Sequence, residues 1–297
     1  MGNNKSYRYI AIVSAMLLWS FSFVWSKLAF ESYNPFTVLF FRLFIAALSL
    51  FVFSKIFGLL QKIEKSDYKI IVLLSLFEPF LYFIGENFGL QYITASTASI
   101  IISTIPLFMP LLGFMFFKEK VLRNNIIGLI ISFIGVLIVV LNNNVAISGE
   151  IKGFLLLFVA VFAALAYTVV IKKITYRYNA FTIVVWQNII ASIAFFPLFM
   201  YYDFSLFTEI GFTMDFKYIV LLGILASNGA FLLYTFAFKF FKVSQIGLFS
   251  NLIPIFTIIT SFFVFNESLS VVKFIGILLV FVGLFIAEYK SIKAYKK

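Results

Sequence analysis

Long apolar runs separated by short polar joins recur ten times along this chain. They cover residues 8–28, 35–55, 69–90, 94–117, 124–141, 152–171, 180–201, 217–238, 243–265 and 271–289. Most are close to the ~20 residues a helix needs to cross the hydrocarbon of a bilayer. Most joins carry a break such as Asn34-Pro35, Asn142-Asn143-Asn144 or Asn266-Glu267. The first run, Tyr9 to Trp25, is longer than the apolar core of a signal peptide, and "SFVWSK" is a poor cleavage site. It reads as a retained first span. The pattern predicts an all-α membrane protein with ten transmembrane helices.

Basic residues orient these spans. Counting joins from the N-terminus, alternate ones hold Lys5 and Arg8, then Lys55, Lys62, Lys65 and Lys69, then Lys118, Lys120 and Arg123. The same set continues with Lys172, Lys173 and Arg177, then Lys239 and Lys242, then Lys290, Lys293, Lys296 and Lys297. That side collects 18 basic residues, against Lys27, Lys152, Lys217 and Lys273 on the other. Arg42 stands inside the second span. The positive-inside rule then predicts a multi-pass protein of the cell (inner) membrane with both termini cytoplasmic.

The chain also repeats itself. Moved by 145 positions, "YNPFTVLFFRLFIAALSL" at 33–50 falls on "YNAFTIVVWQNIIASIAF" at 178–195. Moved by 148, "DYKIIVLL" at 67–74 meets "DFKYIVLL" at 215–222, and Ser96, Pro106, Glu119, Gly128 and Gly135 meet Ser244, Pro254, Glu267, Gly276 and Gly283. The expected organisation is a first five-helix repeat at 1–141, a linker at 142–150 and a second repeat at 151–297. Five is odd, so the second half enters the membrane from the opposite side. Two inverted five-helix repeats around a central cavity are a transporter architecture.

Composition narrows the chemistry. The chain is 63% hydrophobic and 12% charged, with no cysteine and no histidine. Thiolate chemistry, disulfides, His relays and metal ligation by these residues are excluded, so a proton carrier must be Asp, Glu, Lys or Tyr. The net charge of +11 follows the bilayer orientation and gives no reason to invoke nucleic acid. No phosphate-binding loop is visible. No enzyme, metal or cofactor is predicted.

Candidate site residues are the polar groups that the halves do not share. "LFEPFLYFIGENFGL" at 76–90 holds two acids, whereas its counterpart "ILASNGAFLLYTFAF" holds none. Glu78 corresponds to Ala226, Glu86 to Tyr234 and Arg42 to Gln187. Glu78, Tyr82 and Glu86 are spaced i, i+4, i+8, one stripe on a helix, with Glu78 near the midplane. Gly85 and Gly89 flank the stripe and allow close helix approach. A charge at that depth costs about 2.5–3.5 kcal/mol and needs a partner, a polar cavity or a proton. Glu78 therefore has three candidate roles: ion-pair partner of Arg42, protonatable coupling site, or ligand of a cationic substrate group. Arg42 is also close enough to the outer end of its span to snorkel there or to pair with Glu86. Further substrate or coupling candidates are Trp19, Asn87, Gln187, Asn228 and Asn251, alongside Ser22, Ser26, Ser103, Thr104 and Asn188. Pro106 and Pro254 break matching helices as tolerated kinks or as hinges. Glu119 and Glu267 read as structural caps or Lys partners, and the paired glycines as close packing.

"ENFGLQYITASTASII", "TIPLFMPLLGFMFFKEK" and "IIGLIISFIGVLIVV", with the weaker "KVSQIGLFSNLIPIFTIITSFFVFNESLS" and "FIGILLVFVGLFI", resemble the EamA-type group of the drug/metabolite transporter superfamily over essentially the whole chain. The resemblance implies a secondary transporter, often an exporter of amino acids or other small metabolites, with a cavity between the halves. It marks Glu86-Asn87, Pro106, Glu119, Pro254 and Glu267 as family positions, while Glu78 rests on the physical argument alone. A flippase for lipid-linked intermediates or a multidrug exporter of the same architecture is the alternative. The expected partners are a small-molecule substrate and the lipid bilayer, with protons as a candidate coupling ion and a monomer as the candidate assembly.

Overall fold

The computed structural model describes residues 6–118, 123–141, 147–241, 243–266 and 270–294. Glu119 and Glu267 lie outside the described residues. Among those described there is helix and connecting turn, and no strand. The first half contains α1 (Ser6–Ala29), α2 (Pro35–Ile56), α3 (Tyr68–Ser75), α4 (Tyr82–Gly89), α5 (Ala95–Ile102), α6 (Ile105–Phe117) and α7 (Arg123–Leu141). The second contains α8 (Ile147–Ile174), α9 (Ala180–Tyr202), α10 (Phe204–Ile210), α11 (Phe216–Leu221), α12 (Phe231–Ala237), α13 (Val243–Ser250), α14 (Leu252–Phe265) and α15 (Val271–Ala294).

Seven described helical stretches are long and apolar enough to cross a membrane. They match the predicted spans beginning at 8, 35, 69, 94, 152, 180 and 217. The other three predicted spans hold shorter apolar helices, Arg123–Gly135, Leu252–Phe265 and Phe274–Gly283. Large apolar side chains cover the outside, with Leu155 63% and Phe263 76% exposed. In water such a surface would be costly at about 25 cal/mol per Å², whereas lipid tails solvate it.

The helices break at corresponding places. A π-helical turn at Leu76–Leu81 joins α3 to α4, and another at Leu222–Ala230 joins α11 to α12. Position 76 maps onto 224 at the 148 offset. Likewise α5 stops at Ile102 and α6 begins at Ile105, while α13 stops at Ser250 and α14 begins at Leu252. Pro106 and Pro254 therefore stand in the first turn of α6 and α14, where a missing N–H leaves no internal bond unmade. Both helices end on a left-handed residue, Lys118 and Asn266, again 148 apart.

Contacts between the halves are reciprocal. The α1 helix packs on α14 as α8 packs on α5 and α6; α4 packs on α8 as α12 packs on α1. The turn at 76–81 touches α9 as the turn at 222–230 touches α2, and α2 packs on α9 and α7 on α15. Glycine permits the closest of these approaches. A Cβ on Gly85 would stand 2.7 Å from the Ala160 nitrogen, and one on Gly135 would stand 2.6 Å from the Gly276 carbonyl oxygen.

Both ends of the "YN-x-F-T" repeat anchor a connector from the other half. Asn179 caps α9 through its bond from the Thr182 amide, 2.8 Å, and donates to the Leu59 carbonyl, 2.7 Å. At the other face Asp203 accepts from the Thr37 amide, 2.8 Å, at the start of α2. Lys172, in the last turn of α8, donates to the Phe238 and Phe241 carbonyls that close α12, a favourable pairing of cation with helix C-terminus.

Candidate functional site

Between the halves lies a cavity of about 50 Å³, room for a few water molecules at roughly 10–15 Å³ each. It is lined by Trp19, Ser22 and Phe23 of α1, Arg42 of α2, Glu78, Tyr82, Phe83 and Glu86 around the first π turn and α4, and Ile102 and Ile105. From the second half come Ala164 and Thr168 of α8, Tyr234 of α12, Ser250 and Ile253. Ten of these fifteen lining residues form five repeat pairs: Trp19 with Ala164 and Phe23 with Thr168 at 145, then Glu86 with Tyr234, Ile102 with Ser250 and Ile105 with Ile253 at 148. The cavity thus sits where the two halves present equivalent positions. Four of the five pairs differ in chemistry.

Every charge in that wall comes from the first half. Helix α2 buries Arg42 to 1% exposure, so the side chain does not snorkel. Its Nε donates to the Ser227 hydroxyl at 3.1 Å, and its guanidinium lies 4.0 Å over the Phe83 ring. Nη1 is buried and has no hydrogen-bond partner among the described residues. Neither expected ion pair forms: among the described residues Arg42 reaches neither Glu78 nor Glu86 within ion-pair distance.

The predicted helical stripe holds only for Tyr82 and Glu86 on α4; Glu78 stands in the break before that helix, with non-helical backbone angles, and reaches the same cavity from there. Glu78, Tyr82 and Glu86 all face the cavity, and Tyr82 donates to Glu86 at 3.2 Å. Asn87 donates to Glu86 at 3.3 Å and to the Phe83 carbonyl at 3.0 Å. Glu78 breaks the helix with extended backbone angles, φ −146° and ψ 120°, and the Glu78–Pro79 peptide is cis. That break frees the Glu78 carbonyl, which accepts from Gln187 Nε2 at 2.9 Å. Its buried carboxylate has no side-chain partner of its own among the described residues. Arg42 and Gln187 are repeat counterparts, and each reaches the π turn of the other half, at Ser227 and at the Glu78 carbonyl.

Trp19 lines the cavity and packs edge-on against Tyr234, centroids 4.6 Å apart. Ser22 lines it too, while eight other candidates do not, Ser26, Ser103, Thr104 and Asn188 among them. Gln187 holds the Glu78 backbone from behind. Asn228 is consumed in a helix-joining network, donating to the Ala46 carbonyl and Ser49 hydroxyl, both at 3.0 Å, and accepting from Asn188 at 2.9 Å. Asn87 and Asn251 each bury a side-chain oxygen without a partner among the described residues, outside the cavity lining. Tyr234 and Thr168 were absent from the predicted set. Tyr234 could have been found as the counterpart of Glu86, whereas Thr168 carries no sequence signal because spans one and six share little identity. Among the described residues no group of three His, Cys, Asp or Glu side chains could hold a metal ion.

The sequence profile of the EamA-like transporter family matches residues 7–141 and, a second time, residues 151–289. An uncharacterized transporter of Archaeoglobus fulgidus is 27% identical over 294 residues, covering 97% of this chain and 99% of its own. The uncharacterized transporter YetK of Bacillus subtilis is 25% identical over 290 residues, covering 95% of this chain and 87% of its own. A solved crystal structure shares the fold, with a TM-score of 0.74 at 15% identity over 97% of this chain and 99% of that one.

Proposed function

This chain belongs to the EamA-like transporter family, and from that premise we propose that it is a secondary transporter of the cell membrane exporting a small metabolite, an amino acid or related compound. The relatives' names point to a transporter, not an enzyme. In this reading ten spans form two inverted five-helix halves with both termini cytoplasmic. The twofold match of the family profile, the reciprocal contacts and the bias of basic residues support that arrangement.

One observation carries the choice of substrate class. A buried guanidinium with an unpartnered Nη1 and a buried carboxylate without a side-chain partner face the same cavity. Leaving such charges unmatched in a low-dielectric site costs several kcal/mol, which a solute carrying a carboxylate and an ammonium group would offset. Trp19, Tyr82, Phe83 and Tyr234 supply an apolar wall for the rest of it. At about 50 Å³ the cavity is far below the roughly 300 Å³ of an ordinary ligand pocket. Loading it requires the walls to part, as alternating access does. Glu78 is the residue placed to exchange the substrate's ammonium group for a proton.

Thermal unfolding of the purified protein in detergent, with and without amino acids and their amine-only and acid-only analogues, tests this reading. A bound ligand raises the transition temperature. The expected result is a rise with compounds bearing both groups that disappears in Arg42→Gln and in Glu78→Gln. A rise that persists in both variants would overturn the assignment.

A further inference from the structure

Two polar clusters outside the cavity join the halves, one at each end of the helices. At the end that carries most of the basic residues, Asp67 accepts from Arg177 Nη1 at 2.6 Å and from the Tyr178 hydroxyl at 2.8 Å. The same hydroxyl accepts from the Glu64 amide at 3.0 Å. The connector between α2 and α3 is thereby fixed to the corner between α8 and α9. At the opposite end, Asp215 accepts from the Ser32 hydroxyl at 2.6 Å, and the Tyr33 hydroxyl accepts from the Thr213 amide at 2.7 Å while donating to the Gly211 carbonyl at 3.1 Å. There the connector leading into α11 is fixed to the corner between α1 and α2.

These clusters are repeat counterparts, residue for residue: Asp67 with Asp215 at the 148 offset, Arg177 with Ser32 and Tyr178 with Tyr33 at 145. Each tyrosine is buried and bridges a carboxylate-bearing connector to a corner of the other half. The connectors lead directly into the broken helices, α3 before Glu78 and α11 before the second π turn. A wall that must part to admit a solute is thus latched at both ends by equivalent contacts between the halves. The latches differ in how the carboxylate is held, since Tyr178 donates to Asp67 whereas Tyr33 donates to the Gly211 carbonyl. The first contains an ion pair whose Arg177 side chain is 60% exposed, and the second pairs its carboxylate with a neutral hydroxyl.

We propose that these two clusters are the gates of the cavity, the Asp67–Arg177–Tyr178 latch closing it toward the basic end and the Asp215–Ser32–Tyr33 latch closing it toward the opposite end. The proposal rests on the transporter reading for its meaning, yet its test reads access alone and needs no substrate.

The chain has no cysteine, so Ser22→Cys places a single reporter in the cavity wall. A membrane-impermeant maleimide is applied to right-side-out and to inside-out vesicles, and the labelling rate is measured in the reporter background alone, with Asp67→Asn and with Asp215→Asn. Each latch variant is expected to raise labelling about tenfold from one side, the two variants from opposite sides, a tenfold change corresponding to about 1.4 kcal/mol in the opening equilibrium. Tyr178→Phe and Tyr33→Phe, which keep the bulk of each latch, are expected to repeat the pattern if an aspartate variant fails to accumulate. Opposite sides in either vesicle orientation uphold the gates. Labelling raised from the same side by both, or by neither, overturns them. Loss of ligand binding with intact gating would instead fault the substrate reading.

Discussion

The two halves of the cavity wall share backbone and differ in charge. Both present a helix broken by a π turn, both reach across with a side chain from the second helix of the half, and both place five matching positions on the cavity. The first half puts Arg42, Glu78 and Glu86 there, and the second answers with Thr168, Tyr234 and Ser250. A two-fold related scaffold can exchange the roles of its halves, because equivalent contacts form on either side. A substrate is not two-fold symmetric, so the residues that recognise it belong where the symmetry fails. Under the proposed transport cycle, exchange of conformations falls to what is shared and recognition to what is not.

The comparison breaks most severely at Arg42. Arg42→Leu leaves Glu78 and Glu86 buried with no cation among the cavity-lining residues, which costs several kcal/mol on the scale of an uncompensated buried charge. A fall in the unfolding temperature of the purified protein, with ligand stabilisation lost, is the expected outcome. Tyr234→Glu removes the difference from the other side by giving both halves an acid at the same position. At bilayer depth an added carboxylate costs about 2.5–3.5 kcal/mol, read as reduced accumulation in membranes and a lower unfolding temperature. Gln187→Leu, at the counterpart of Arg42, strands the Glu78 carbonyl and costs about 1–3 kcal/mol. Asn228→Ala costs a similar or smaller amount and is expected to leave ligand stabilisation intact, since that side chain serves helix contacts. The smallest effect is on the latches. Raising ionic strength from about 0.01 M to about 1 M shortens screening from roughly 30 Å to 3 Å. Labelling of the cavity reporter from the basic end then rises about twofold to fivefold, within the 1 kcal/mol of an exposed pair, while labelling from the other end stays constant.

Much of this was legible in the chain because it is local. Apolar windows give the helices, and identities at fixed offsets give the repeat, down to matched breaks before Pro106 and Pro254. The shared face of Tyr82 and Glu86 is legible because i, i+4 spacing on a helix fixes it, whereas Glu78 reaches the cavity from a helix break that the spacing does not encode. What depends on helix rotation and crossing was not legible. The burial of Arg42 over Phe83, bonded to Ser227 instead of an acid, follows from how α2 meets the second π turn, which no spacing encodes. An Asn inside a span needs a partner on another helix or in a cavity, and Asn228 takes Ala46, Ser49 and Asn188 on neighbouring helices. The latches were half visible: the repeated "DYK" and "DFK" mark both aspartates, but their partners, Arg177 and Ser32, share no chemistry.

We assign substrate recognition to the charge found in one half alone. Flux in proteoliposomes of whichever compound stabilises the protein, measured for the wild type, Glu78→Gln and Ser250→Ala, tests it most directly. A loss of at least about tenfold is expected in Glu78→Gln, equivalent to about 1.4 kcal/mol, with all three proteins equally well incorporated and Ser250→Ala close to wild type. Wild-type flux in Glu78→Gln would contradict it.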